Sequence, residues 1–458
     1  MPDKPRQAVI LIHGIGEQRP METLRGFVNA ILPPRGMDTS YYSKPDLLAN
    51  NFDLRRLASA GGRNARTDFY EFYWAHLMPT AAWDRLVSWF WSLMRHTWSN
   101  VPSEMRGLWI WSWVATLFIF GAGAVQAIRF LAGYPIAADW AGNLPWIFIA
   151  LGALISTILR AYVGDAAIYL SPSPRNIEAR QKIREAGMAL LERIATTQDY
   201  DRIIIVGHSL GSVIGYDILT FSWQRHSIAV RERLCDQWRK GEFPGNKIET
   251  TIKQAETLAK NISDEQEHKP QQISPRAAEW QASAREIHAE QKARGDGWLV
   301  TDFITLGSPL AHGSMLLAKG LDDFKCRMQE RELPRCPPAG EQNGKFSFDH
   351  RDVDNQDRPQ HATVLHDAAV FAATTWTNLY FPSRHLLIGD FIGGPVSPLF
   401  GPGVLDVPVK THTWGGWLAH THYWRYHPND TDKATAPIAR LKEALDLNRR
   451  KYPPTQKP

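Results

Sequence analysis

The apolar run from Arg202 to Val206 stops at Gly207-His208-Ser209-Leu210-Gly211, and a helix-compatible stretch, Ser212 to Thr220, follows at once. A short run of β-branched residues bounded in this way reads as a buried strand. A strand that passes into a helix through G-x-S-x-G has to turn so sharply that side chains at the flanking positions would block the backbone crossing. The serine of such an elbow is lifted clear of the sheet in a strained conformation. Ser209 is therefore the candidate nucleophile, and the strand, turn and helix around it predict an α/β fold.

A second apolar strand, Gln7 to Ile12, ends far upstream in His13-Gly14-Ile15-Gly16. A serine that attacks a carbonyl group needs two backbone N–H donors for the oxyanion. One comes from the residue after the nucleophile and one from a glycine-bearing loop after an earlier strand. Leu210 and Ile15 occupy those two positions.

On these residues the chain resembles the α/β-hydrolase superfamily, in its lipase and esterase branch. Phe303-Ile304-Thr305-Leu306-Gly307-Ser308-Pro309-Leu310 adds to the resemblance, because it looks like the strand that follows the nucleophile helix in lipase-like members. The likeness covers the first 80 residues, 178–224 and 298 to about 427, roughly half of the chain. It implies a mostly parallel sheet flanked by helices and the chain order nucleophile, acid, histidine, with no metal and no cofactor. Ser308 lacks the G-x-S-x-G frame and precedes a proline, so it reads as a structural turn.

The implied order narrows the search for the other two groups. Arg384 to Gly389 reads as a strand that ends at Asp390, and Trp376-Thr377-Asn378-Leu379-Tyr380 looks like what lipase-like relatives carry before that strand. Asp390 is the candidate acid and Asp406 the alternative; Asp302 precedes a strand and Asp367 falls in a helical stretch. Val407 to Thr413 reads as the last strand, and both His420 and His422 lie in the loop beyond it. The spacing His420-x-x-Tyr423-Trp424 resembles the relatives' pattern and selects His420 as base, with His422 as alternative. His385 and His412 fall within the predicted strands.

Between the two halves of this pattern lies an apolar segment. No charge occurs from Gly107 to Ile128, nor from Trp140 to Leu159 except at Asp139 just outside. Each run has the length needed to cross a bilayer core as a helix, about 20 residues. Gly121, Ala122, Gly123, Ala124, Gly152 and Ala153 suit close helix packing in lipid, and Arg129 to Asp139 suffices as the link of a hairpin. Tryptophans 83, 89, 91 and 98, interleaved with Arg85, Arg95 and Arg106, make residues 82–106 read as an interfacial helix.

Composition agrees with this picture. Fifty-two Lys and Arg against 47 Asp and Glu give a net charge of +5, an excess that suits an anionic membrane surface but is too small to suggest nucleic acid. Cys235, Cys326 and Cys336 have no metal-binding or disulfide spacing and read as free thiols. No cleavable signal peptide and no internal repeat is expected. The chain thus divides into an N-terminal core part (1–81), an interfacial helix with a membrane hairpin (82–164), a core part with the elbow (165–223), a charged helical insertion read as solvated (224–297) and a C-terminal core part (298–458). Residues 330–359 read as a long loop and Pro437 to Arg450 as an amphipathic helix.

The sequence therefore points to a serine ester hydrolase attached to the inner or cytoplasmic membrane, its globular part facing the cytoplasm. Ser209, Asp390 and His420 form its triad, Ile15 and Leu210 its oxyanion hole, and a lipid or other acyl ester is its substrate. A thioesterase or acyltransferase would use the same triad, and a non-catalytic membrane scaffold is the alternative of a different class.

Overall fold

The computed structural model describes residues 6–14, 19–33, 40–48, 53–59, 65–78, 169–170, 174–197, 200–243, 245, 247–268, 276–340, 344–383, 389–390, 392–411, 419–425, 432 and 434–448, with isolated helical positions between 109 and 131. Its strands are β1 (Arg6–Ile12), β2 (Tyr41–Pro45), β3 (Arg55–Ser59), β4 (Arg66–Phe72), β5 (Arg202–His208), β6 (Val300–Leu306), β7 (Ser347–Val353), β8 (Pro359–Leu365), β9 (Thr375–Tyr380) and β10 (Leu405–Pro408). Eight of them form one sheet in the order β10-β9-β6-β5-β1-β4-β3-β2. Every pairing from β4 across to β10 is parallel, and β2 and β3 add an antiparallel edge.

β5, β6 and β9 are buried along their whole length, because both faces of the sheet are covered. Successive side chains point to opposite faces. Ala8, Ile10 and Ile12 of β1, with Ile203 and Ile205 of β5, enter one core; Val9 and Leu11, with Ile204 and Val206, enter the other. Helices α2 (Pro174–Thr197) and α3 (Leu210–Arg239) supply Ile183, Ile194, Val213 and Ile214 to the first core. Helix α1 (Glu22–Ile31) covers the second with Leu24, Phe27 and Val28, beside Leu441 and Leu445 of the C-terminal helix Pro437–Leu445. That last helix is the amphipathic tail expected from the sequence.

Two regions depart from the sequence reading. Helix α3 runs on to Arg239, past the expected end of the core segment, and the charged stretch beyond it forms α4 (Lys247–His268) and α5 (Ala277–Arg294). Neither of these is simply solvated. Ile248, Ile252 and Ile262 of α4 and Trp280 and Ile287 of α5 are buried in the first core, and Gln281 donates to Trp376 O and Thr377 Oγ1 of β9 at 3.1 and 3.0 Å. Glu, Lys and Arg on the outer faces hide these apolar positions from a reading of composition. The expected loop at 330–359 contains β7, which pairs antiparallel with β8 around a turn held by Asp354. β7 is polar and largely exposed, so it lacks the alternation by which a half-buried strand is recognised.

The apolar runs 107–128 and 140–159 lie largely outside the described residues, as do 384–388, where a strand was expected. Among the described residues no helix is long and apolar enough to cross a membrane. Ile110, Leu117, Ile128 and Leu131 are helical positions and are 43, 66, 65 and 84 % exposed.

Close backbone packing at the elbow gives a direct test of the fold. A Cβ at Gly211 would overlap the carbonyl oxygen of Ile12, and one at Gly207 would stand 2.5 Å from Ser212 Cα, whereas Gly245 has open space around it. We expect Gly211→Ala to cost more than about 3 kcal/mol and Gly245→Ala less than about 0.5 kcal/mol, read as shifts in urea midpoint. Equal midpoints for the two variants would contradict the contact.

Candidate functional site

Every parallel strand delivers its successor residues to one edge of the sheet, and all the candidate residues that are described lie there. Ser209 follows β5 with φ 52 and ψ −129, a left-handed conformation that non-glycine residues adopt only when their surroundings impose it. The imposing contacts are visible. Ser209 N–H donates to Leu306 O at 2.9 Å, and Ser209 O accepts from the backbone N–H and the hydroxyl of Ser212, at 2.9 and 2.6 Å. The Ser212 hydroxyl also meets that of Ser308 at 2.7 Å, and Ser308 accepts from Leu310 N. Ser308 is thus a structural turn residue, as its sequence context suggests.

Leu210 is the first residue of α3. Its N–H belongs to the donors that a helix leaves unpaired at its start, on the positive end of the helix dipole. Gly14 lies directly across, since a Cβ there would come within 2.9 Å of Ser209 Cβ and 3.0 Å of His208 Nδ1. Ile15, the expected second oxyanion donor, lies outside the described residues. The residue before this glycine is held firmly: His13 is buried, stacks on Trp74 at 5.0 Å, and has its carbonyl capped by Trp74 Nε1 at 2.9 Å. Its Nδ1 lies 2.8 Å from Gly14 O.

Asp390 and His420 are brought together, although 30 residues separate them: His420 Nδ1 lies 2.8 Å from Asp390 Oδ2. Gly389 makes this possible. It takes φ +105 against Pro382 O, where a Cβ would collide, and Asp390 N–H returns to Phe381 O at the end of β9. Asp390 accepts four hydrogen bonds. Oδ1 takes Ile392 N–H and Gly393 N–H at 2.9 and 3.0 Å, and Oδ2 takes His420 and the Tyr423 hydroxyl, both at 2.8 Å. Burial by itself would raise this carboxyl, but the charge and hydrogen bond of His420, the Gly393 N–H and Tyr423 outweigh it and hold Asp390 at about 2. The other ring nitrogen, His420 Nε2, is buried and has no hydrogen-bond partner among the described residues.

The alternatives fall elsewhere. Asp406 accepts from Asn378 Nδ2, Val396 N and Ser397 N, so it fastens the 396–397 turn to β9 and does not meet His420. His422 sits beside Arg425, at 3.4 Å. His208, which the sequence reading left without a role, lies 2.8 Å from the backbone carbonyl of His420 through Nε2, with the two rings 5.0 Å apart. Trp424 closes over it edge-on at 4.7 Å. His208 and Tyr423 both stand inside the quoted motifs, but only the folded chain shows what they touch. Among the described residues no group of three His, Cys, Asp or Glu side chains could hold a metal ion.

The buried histidines set the pH response of stability. Burial is the first cause in each case, and it lowers His13 to about 4, His208 to about 3 and His226 to about 4. The unfolded chain takes up these three protons near pH 6.5 and the native state does not, so stability falls as pH drops below 6.5. Glu71, raised to about 7 by burial, acts in the opposite sense, because the native state gains its proton first. The depressed Asp390 loses its contribution only below pH 4. With a net of two protons favouring the unfolded chain, the free energy of unfolding at pH 5 should lie about 2 to 4 kcal/mol below that at pH 7, measured by urea titration. Equal or greater stability at pH 5 would show that these imidazoles are not kept neutral.

Compared with known proteins, the chain matches no family model, and no curated protein or solved structure shows significant similarity to it.

Proposed function

We propose that the protein is a serine ester hydrolase. The observation that carries this reading is the state of His420: the contact with Asp390 favours Nδ1 as the protonated nitrogen, which leaves Nε2 as a lone pair, buried and without a partner among the described residues, on the edge that holds Ser209. A base in that state can accept a proton, although no hydrogen bond joins it to Ser209 Oγ among the described residues.

In the proposed reaction Ser209 Oγ attacks the ester carbonyl as its proton moves to His420 Nε2. The N–H groups of Leu210 and Ile15 hold the oxyanion, and Asp390 stabilises the imidazolium without itself taking the proton. Collapse of the tetrahedral intermediate breaks the ester C–O bond, and His420 returns the proton to the departing alcohol. Water then repeats the sequence on the acyl-serine and releases the acid. The scheme draws on no metal or cofactor. A thioester, or an acyl acceptor other than water, would engage the same three groups, and product analysis distinguishes them.

We further propose that the apolar runs attach the enzyme to a membrane and that its substrate is a lipid or other acyl ester met there. Uncharged sequence at 107–128 and 140–159 supports this, as do the exposed helical positions Ile110, Leu117, Ile128 and Leu131. Arg85, Arg95 and Arg106 precede the first run and Arg160, Arg175, Arg180 and Lys182 follow the second. Basic residues flanking spans tend to be retained on the cytoplasmic side, which supports a hydrolase facing the cytoplasm.

Ser209→Ala should abolish labelling by a fluorophosphonate probe and reduce hydrolysis of acyl esters by about 10⁴-fold or more, with an unchanged thermal transition. Asp390→Asn and His420→Ala should each lose most activity, while His422→Ala and a folded Asp406→Asn should keep it. Undiminished labelling of Ser209→Ala would remove the proposal.

For the membrane part, single cysteines at Ala137 and at Gln198, in a background lacking Cys235, Cys326 and Cys336, should differ towards an impermeant maleimide in intact cells. Ala137 should react and Gln198 should not. Release of the protein by carbonate, with neither site labelled, would dispose of the anchor and of the lipid argument with it.

A further inference from the structure

Tyr423 shares a motif with His420 but has no part in the proposed reaction, and its surroundings are unusual for a tyrosine. The side chain is fully buried, and the hydroxyl has two defined partners: it accepts from Phe381 N–H at 3.2 Å and donates to Asp390 Oδ2 at 2.8 Å. That oxygen is the one His420 Nδ1 uses, also at 2.8 Å. The ring is packed in place against Phe381 at 4.8 Å, with His208 at 6.0 Å, and a Cβ at Gly307 would come within 2.7 Å of both Tyr423 Cε2 and Asp390 Oδ2. Tyr423 therefore has no room to swing away.

We propose that Tyr423 is a positioning residue for the proposed reaction: its hydroxyl shares Asp390 Oδ2 with His420 and so sets both the direction of the carboxylate and how much of its charge the imidazole feels. The inference rests on the reading of Asp390 and His420 as acid and base. The physical argument is a competition. A carboxylate oxygen that already accepts an O–H hydrogen bond attracts a neighbouring imidazolium less strongly than one that does not. The bond through Phe381 N–H orients the hydroxyl, because a phenol oxygen that accepts from that side donates away from it, towards Asp390. Tyr423 thus takes up part of the carboxylate's hydrogen-bonding capacity at the oxygen that holds His420. Among the described residues, the other titratable groups facing this cluster are His208, which lies on the carbonyl of His420, and His13 beyond it. Both are buried on the nucleophile side and neither touches Asp390.

The test follows the proton on His420 directly. In the full-length protein with ¹⁵N-labelled histidine, the imidazole of His420, identified by its loss in His420→Ala, is titrated by NMR in the wild type and in Tyr423→Phe. Removal of the hydroxyl should move the His420 titration to higher pH by about half a unit to one unit and move the acid limb of kcat/KM with it. It should lower kcat by about 10-fold with KM little changed.

Tyr423→Phe also leaves Phe381 N–H without its acceptor, so a second variant keeps the ring and both bonds. 3-Fluorotyrosine at position 423 is a stronger donor and should shift the His420 titration to lower pH. Opposite shifts in the two variants support the proposal. An unmoved His420 titration in either folded variant, even with a lowered melting temperature, reduces Tyr423 to a structural residue and overturns it. Failure of the hydrolase reading shows separately, as absence of Ser209 labelling in the wild type, while the NMR shift still reports on Tyr423.

Discussion

The contact on which this architecture turns is between two pieces of backbone. The first turn of α3 lies against the end of β1, so close that Gly211 has no space for a Cβ beside the carbonyls of Ile12 and His13. Gly207 is pressed in the same way by Ser212. Because the helix starts there and nowhere else, Ser209 is forced into its left-handed conformation, and Leu210 becomes the first N–H of a long helix. Gly14 comes to rest against the serine. These positions follow from one close approach at the place where the chain connects β1 to one face of the sheet and β5 to the other, which is where open α/β sheets form their crevices.

The second half of the site is an electrostatic arrangement built on a different principle. A carboxylate as deeply buried as Asp390 would be costly if left alone. Two backbone N–H groups, a hydroxyl and an imidazole satisfy it, and the balance favours the charged form. The charge is useful only because its geometry is fixed. Gly389 and Gly393 turn the loop so that both N–H groups reach Oδ1, which leaves Oδ2 for His420 and Tyr423. His208 then ties the carbonyl of His420 to the strand that carries Ser209. The loop after β10 and the elbow after β5 are thereby held in one register through a single uncharged imidazole.

How much of this could be read in the sequence depended on whether the signal was local. The elbow and the strands β1, β5 and β6 are contiguous apolar runs ending in glycine, and both the mostly parallel sheet and the position of Ser209 follow from them. Asp390 and His420 are picked out by the chain order and spacing that the resemblance implies, whereas the contacts themselves, Asp390 with His420 and Asp406 with the 396–397 turn, appear only in the folded chain. Asp406 is also buried and accepts three hydrogen bonds, but it serves a turn instead. The strand expected over 384–389 lies largely outside the described residues; beyond it, Asp390 N–H returns to Phe381 O after β9. The burial of α4 and α5 was hidden for the opposite reason. Their apolar residues are too few to dominate composition, and tertiary packing chooses the face that counts.

Parallel topology also links the two proposals made for this chain. In a parallel sheet every strand ends on the same edge, so a segment inserted between a strand and its following helix emerges at that edge. The segment between Met78 and Pro174 is of this kind. It leaves after β4 and the short helical turn Ala75–Leu77, and returns at the start of α2, which packs on that same turn. The apolar runs are therefore tethered at both ends to the edge that carries Ser209, Asp390 and His420. If they hold the protein to a bilayer as proposed, the two ends of that segment attach the anchor to the edge where Ser209, Asp390 and His420 lie. Loops at the carboxyl ends of strands can change in length and composition without disturbing the two cores, so a long segment between β4 and α2 costs the fold little.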